Sequence, residues 1–286
     1  MSDEGVQPMP APHNVVKSAL AEAKVQIGLW LALGNPTTAA IAAGAGYDWC
    51  LIDGDHGRTA VLNVLEQVRA IDGQGAAPVV RISADAQGLM QDVLDLGVQT
   101  LLVSGVETEA DVNAVVQATR YPPTGTRTLS ELTMRASNYG AIEDYAATAN
   151  DQICVLIQVS SRTGLENVSA LAEVAGVDGV FLSASDLCAS LGHLGQPECP
   201  EMVGVIEDAI DKIKLAGKAP GIVTFKSDAL KRYADRGVTF LGVGGDATTY
   251  AKAVRDLATS AAAVVQRGAE VVQLHDPNRT KTNRSN

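Results

Sequence analysis

The stretch QICVLIQVSSRTGLENVSALAEVAGVDGVFLS, residues 152–183, decides the fold. It opens on a continuous apolar run, QICVLIQV (152–159), and closes on another, DGVFLS (178–183). Neither run alternates apolar with polar residues, which is the pattern of strands buried on both faces, as in a parallel sheet. Residues 161–174 between them carry apolar side chains at helical spacing, so the segment reads as strand, crossover helix, strand. Working outward, the same apolar runs recur at QIGLWLAL (26–33), DWCLID (48–53), PVVRI (78–82), QTLLVS (99–104), APGIVT (219–224) and TFLGVG (239–244). Helical spacing separates them over Thr59–Ile71, Ala86–Leu96, Glu107–Arg120, Glu201–Ala216, Ser227–Arg236 and 247–269. A further helix, roughly Asn14–Ala23, precedes the first strand and is expected to cover the bottom of the sheet.

Eight such units on a chain of 286 residues predict an α/β fold, a (β/α)8 TIM barrel. A doubly wound open sheet is the alternative. No stretch rich in Pro, Gly or Ser divides the chain, so 1–273 is expected to form one barrel domain with its N-terminal helix. Residues 274–286, with Pro277, Asn278 and Asn283, read as a disordered polar tail. The segment Tyr121–Tyr139 holds Pro122-Pro123, Gly125, Arg127 and Arg135, and loops of this length are often functional.

The composition is that of a globular chain, 46% hydrophobic and 19% charged, with so few aromatic residues (4%) that Ala, Val, Leu and Ile must fill the core. The net charge of −11 argues against nucleic acid or an anionic membrane as the main partner. Four cysteines, Cys50, Cys154, Cys188 and Cys199, lack metal-site or disulfide spacing. Cys50 and Cys154 lie in apolar runs and read as buried free thiols, suited to a reducing compartment. The N-terminus lacks a basic-then-apolar signal pattern, so a cytoplasmic location is expected. The long uncharged stretch Val25–Tyr47 is interrupted by Gly34-Asn35-Pro36-Thr37-Thr38, which makes it strand, turn and helix rather than a membrane span.

In a barrel the chemistry gathers at the C-terminal ends of the strands. The second strand ends in Asp53-Gly54-Asp55-His56, the third contains Arg81, the fifth ends at Gln158-Val159-Ser160-Ser161, and the sixth runs into Ser183-Ala184-Ser185-Asp186. His56, beside two carboxylates that can orient an imidazole, is the best acid/base candidate; the alternative is a loop histidine without a role. Arg81 lies inside an apolar strand, where an unpaired guanidinium would be very costly, so it must meet an anion: a ligand, or a structural partner such as Asp95 or Asp85. Asp186 is either a metal ligand or a helix N-cap. The Gly242–Gly245 segment could receive a phosphate on backbone N–H groups or simply make a tight turn.

QIGLWLAL, AGAGYDWCLIDGDHG, PVVR, VLDLGVQTLLV, ATRYPPTGTR, RAS, NDQICVLIQV, GVDGVFLSASDL and GKAPGI occur in that order. Over residues 14–260 the chain thereby resembles the 4-hydroxy-2-oxoheptane-1,7-dioate aldolases, metal-dependent class II pyruvate aldolases. The resemblance implies a barrel whose last helix swaps onto a neighbouring subunit, in a homo-oligomer, a trimer or hexamer. It implies a carbon–carbon lyase that cleaves a 4-hydroxy-2-oxo acid to pyruvate and an aldehyde through a metal-stabilised pyruvate enolate, with Mg2+, Mn2+ or Co2+ as the divalent metal. Carried over residue by residue, it makes His56 the acid/base, Asp53 and Asp95 the dyad carboxylates, and Arg81 the stabiliser of the enolate oxygen. It also makes Gln158 and Val223 substrate-binding residues and Asp186 a metal ligand.

The chain departs from that pattern around the site. The family's second metal ligand, a Glu after the strand-five glutamine, is replaced by Ser160, a poor ligand for a hard dication. Ser183, Ala184 and Ser185 stand where the family's Gly-Pro-Ala cradles the substrate carboxylate, and Ser104-Gly105 stands in place of a Pro after strand four. In the loop after RYPP, a Gly-rich family pattern becomes Thr128-Leu129-Ser130. An active lyase on a small 2-oxo acid is therefore expected, with a non-catalytic or repurposed paralogue that has lost its Glu ligand as the alternative.

Overall fold

The structure is a computed structural model, in which residues 10–55, 61–130 and 132–265 are described. Eight parallel strands form it: β1 (Gln26–Leu31), β2 (Trp49–Asp53), β3 (Ala77–Ser83), β4 (Thr100–Ser104), β5 (Cys154–Val159), β6 (Gly179–Leu182), β7 (Ala219–Val223) and β8 (Phe240–Gly245). Each strand bonds its sequence neighbours, and β1 bonds both β2 and β8, so the sheet closes into a barrel. Closure excludes the open doubly wound sheet. The eight expected apolar runs all form strands, with ends that differ from the expected ones by at most two residues.

The helices follow in order: α1 (Val15–Ala21), α2 (Pro36–Ala43), α3 (Val61–Ile71), α4 (Gln87–Asp95), α5 (Glu109–Thr119), α6 (Tyr145–Gln152), α7 (Arg162–Glu166), α8 (Val168–Glu173), α9 (Ala184–Ser190), α10 (Pro200–Leu215), α11 (Ser227–Arg236) and α12 (Asp246–Val264). The expected single helix over 161–174 is two. It breaks at Asn167, whose side-chain amide donates to the carbonyl of Glu107 at 2.8 Å. The polar, small-residue segments that form α6 and α9 lack helical periodicity and were not expected as helices. The expected Gly242–Gly245 turn is instead part of β8. Gly242 there faces Val223, so closely that a Cβ would meet the valine Cβ at 3.0 Å.

Two apolar layers hold the barrel. The larger lies between strands and helices and draws on the outward residues, such as Cys50, Ile52, Val80 and Ile82. The smaller fills the barrel with Trp49, Leu51, Val79, Leu102, Leu156, Phe181 and Phe240. Trp49 stacks on Phe240 with ring centroids 4.0 Å apart, over Gly28, where any Cβ would fall within 2.0 Å of the indole. As expected, α1 closes the bottom: Val16 and Leu20 join the interior cluster. Asn14, its N-cap, donates to Gln99 and Gln152 carbonyls and to the Thr100 hydroxyl.

The described chain forms two compact units, one ending at Asp246 and one beginning at Ala247. In the first, the Asp246 carboxylate accepts the N–H groups of Ala32 and Leu33 and ties the end of β8 to the loop after β1. The second is the body of α12, on which Tyr250, Val254, Leu257 and Val264 share one face and are exposed. The expected polar tail at 274–286 lies outside the described residues, as does the last part of the helix expected over 247–269.

Candidate active site

Strand periodicity dictates the site. Side chains along a strand alternate between faces, and Leu51, Val79, Leu102 and Leu156 point into the barrel. Two residues on from each come Asp53, Arg81, Ser104 and Gln158, all buried. The layer above the apolar plug is therefore polar, and it stands at the C-terminal ends of the strands.

Arg81 is its centre and is 3% exposed. Its Nε donates to Gln158 Oε1 at 2.9 Å, and its Nη1 donates to Asp53 Oδ1 and Oδ2 at 3.1 and 3.2 Å. Nη2 lies 2.9 Å from Asp55 Oδ2. The register sets Asp53 directly beside Arg81 across the β2–β3 ladder. The carboxylates are held in turn: Trp30 Nε1 and the Asp55 N–H donate to Asp53, and the Ser104 hydroxyl donates to Asp55 at 2.7 Å. The guanidinium also lies 5.7 Å from the Trp30 ring centre. Gly54 permits the close approach of the β2 end to β3, since a Cβ would lie 2.7 Å from the Arg81 carbonyl oxygen.

The chain thus brings Asp53, Arg81 and Gln158 into direct contact. Asp95 forms a separate pair. It ends α4, which runs back down the barrel, so it sits at the bottom end and accepts from Arg127 Nη2 at 2.6 Å. Arg81 forms ion pairs with Asp53 and Asp55. His56 lies outside the described residues. Ser183, Ala184, Ser185 and Val223 line one cavity of about 230 Å3 at the ends of β6 and β7, with Pro197, Glu198 and Thr224–Lys226. Val223 also packs against the interior cluster.

Asp186 is the third residue of α9, an acid in a helix's first turn, and it accepts from the Ser183 hydroxyl at 2.6 Å. Ser160 is half-buried just beyond β5. No cluster of three or more His, Cys, Asp or Glu able to hold a metal occurs among the described residues. One carboxylate, already engaged by a hydroxyl, and one neutral serine do not make up the oxygen set that a hard dication takes from protein. The described donors do not fit a tightly held metal.

Trp30, Asp55 and Ser104 belong to the same network and were not among the expected site residues. The signal for them was present: Trp30 and Ser104 have the interior parity of Gly28 and Leu102, and Asp55 follows Asp53 by two. The thiols take no part. Burial and the charge of Asp246 push Cys50 up to about 12, and burial raises Cys154 as well.

Comparison with known proteins agrees with this geometry. Residues 26–253 match the family described as HpcH/HpaI aldolase/citrate lyase. A hydroxypyruvate/pyruvate aldolase of Deinococcus radiodurans is 49% identical over 86% of this chain and 89% of its own. A 4-hydroxy-2-oxo-heptane-1,7-dioate aldolase of Klebsiella pneumoniae is 44% identical over 86% of this chain and 94% of its own. The crystal structure of an HpcH/HpaI aldolase/citrate lyase family protein from Burkholderia cenocepacia superposes with a TM-score of 0.83 at 34% identity, covering 87% of this chain and 99% of that one. With a matching profile over most of its length and an arginine-centred site at the barrel top, the chain belongs to the HpcH/HpaI aldolase family and is a carbon–carbon lyase.

Proposed function

We propose that the chain cleaves a 4-hydroxy-2-oxo acid to pyruvate and an aldehyde, and joins the same two in reverse. The observation that carries this reading is the buried Arg81 guanidinium, fixed at the barrel top by Asp53, Asp55 and Gln158. In retro-aldol cleavage the 4-hydroxyl loses its proton and the C3–C4 bond breaks. Its electron pair forms the C2–C3 double bond and the keto pair moves onto oxygen, giving an enolate. A preorganised cation aimed at that oxygen lowers the barrier. Arg81 is assigned this role, with Asp53 and Gln158 holding its orientation. His56 is assigned the proton transfers, from the 4-hydroxyl and back to C3. Ser183, Ala184, Ser185 and Val223 are assigned to the substrate because they share one cavity.

The resemblance implies Mg2+, Mn2+ or Co2+, with Asp186 and Ser160 at the ligand positions. Because these donors fit a cation poorly, no step here depends on one. Ser160 is also the observation that favours the second reading, a paralogue that is repurposed or no longer catalytic. Exchange of the pyruvate methyl protons for deuterium, followed by NMR with Mg2+, Mn2+, Co2+ or EDTA, separates the two. The lyase reading expects exchange with only weak metal dependence, and no exchange under any condition in folded protein overturns it.

The partners proposed are a small 2-oxo acid and an aldehyde, together with further copies of the chain. A homo-oligomer, trimer or hexamer, with α12 swapped onto a neighbour, is supported by the exposed apolar face of that helix. Four free cysteines support a cytoplasmic setting. No helix among the described residues is long and apolar enough to cross a membrane.

A further inference from the structure

The segment joining α9 to α10 gathers a thiol, an imidazole and a carboxylate. Cys199 Sγ lies 4.0 Å from His193 Nδ1, and His193 Nε2 lies 3.4 Å from Glu201 Oε2. This is the order of nucleophile, base and orienting acid, at the looser spacing usual without a bound reactant. Successive turns fix the backbone beneath them: His193 N–H donates to the Cys188 carbonyl, Gln196 N–H to the His193 carbonyl and Cys199 N–H to the Gln196 carbonyl, at 2.8, 2.9 and 3.1 Å. Cys199 is also the N-cap of α10, a helix of 16 residues. A thiolate is favoured at the N-terminus of such a helix. Cys50, Cys154 and Cys188 are buried, whereas Cys199 is half-buried and open to small reagents.

Glu201 faces the imidazole from the first turn of α10, and the Cys188 thiol of α9 donates to the His193 carbonyl. Glu198, next to Cys199 in sequence, has its carboxylate engaged by Lys226 Nζ at 2.5 Å from the segment before α11. The Glu201 carboxylate, 3.4 Å from Nε2, favours a proton on that nitrogen and leaves the Nδ1 lone pair for the thiol.

We propose that Cys199 is a modification site, a nucleophilic thiol that His193 deprotonates and that takes oxygen from small hydroperoxides. The thiol proton passes to His193 Nδ1. The thiolate electron pair attacks one peroxide oxygen, the S–O bond forms and the O–O bond breaks. The other oxygen leaves with the imidazolium proton, as water when the reagent is hydrogen peroxide. Sulfur is oxidised by two electrons to a sulfenic acid, and the peroxide is reduced by two.

The test uses the full chain, hydrogen peroxide and dimedone trapping read by mass spectrometry, beside iodoacetamide labelling at pH 7. The adduct is expected on Cys199, with Cys50, Cys154 and Cys188 unlabelled. Its rate at pH 7 should fall about tenfold in His193→Gln, because the variant lacks the base that takes the thiol proton. The more exposed Glu201→Gln, which leaves the thiol and imidazole in place, should lie between the two. Equal rates in all three proteins overturn the proposal, as does label spread evenly over the four cysteines. The readout needs no lyase activity, so it stands or falls apart from the proposed reaction.

Discussion

Burying the Arg81 guanidinium would cost several kcal/mol if its charge were not met, and the barrel meets it with two carboxylates and an amide. The directional fork, more than the charge alone, fits it to hold an enolate oxygen. Arg81→Lys keeps the charge and loses the fork. We expect kcat for retro-aldol cleavage to fall about 100-fold, with a smaller change in KM, as for loss of a transition-state donor. Steady-state kinetics on a 4-hydroxy-2-oxo acid checks this, and an unchanged kcat would remove Arg81 from the chemistry. Ser160→Glu restores the carboxylate that the family pattern has at this position. It should tighten Mn2+ binding by about tenfold or more in a calorimetric titration, since hard dications are held by carboxylate oxygens. No gain in affinity would mean that residue 160 does not face the cation position. Asp53, Arg81 and Gln158 were legible because strand parity alone sends them inward. The place of Asp95 in the fold was legible as well. It precedes β4 by five residues and so belongs at the bottom of a barrel. Position 160 could be read only against the family pattern, because a serine just past a strand carries no signal of its own.

At the level of elements, strands were easier to read than helices. A strand buried on both faces has room for few polar residues, so all eight runs stand out as apolar. A short helix at the barrel rim buries little, and α6 and α9 left no periodic trace. The break at Asn167 depends on a contact with the Glu107 carbonyl that only tertiary structure creates. The start of α5 is local and fully readable: Thr108 accepts the Asp111 N–H, and the Asp111 side chain accepts the Thr108 N–H in return, a capping box. Thr108→Ala should cost about 1 kcal/mol in chemical denaturation at pH 7. The backbone N–H of Glu107, then the Thr108 hydroxyl and N–H, hold the Asp111 carboxyl below its ordinary value. A depressed folded pKa contributes stability that is complete above the unfolded value, near 4, and is lost as pH falls through the folded value. The gap in thermal midpoint between wild type and Asp111→Asn should therefore be present at pH 7 and shrink toward pH 3. A gap that does not change with pH would assign the effect to shape rather than charge.

For the molecule as a whole, the net charge of −11 opposes close approach of copies, so any assembly must draw on buried apolar area. The final helix offers that area. Tyr250, Val254, Leu257 and Val264 recur at spacings of three, four or seven residues along α12, and Leu257 is 71% exposed. An apolar stripe of this kind marks an interaction surface rather than a solvated face. If it seats on a neighbouring copy, covering each large side chain would contribute about 1.5–3 kcal/mol. We expect the wild-type protein to run as a trimer or hexamer in light scattering coupled to size exclusion. The double variant Tyr250→Asp with Leu257→Asp should run at lower mass. Because both residues are exposed and lie beyond the compact unit ending at Asp246, the barrel's far-UV circular dichroism should be unchanged. Equal masses for the two proteins would mean that this face is not the contact. A monomeric wild type would remove the assembly altogether and leave the exposed stripe to another partner.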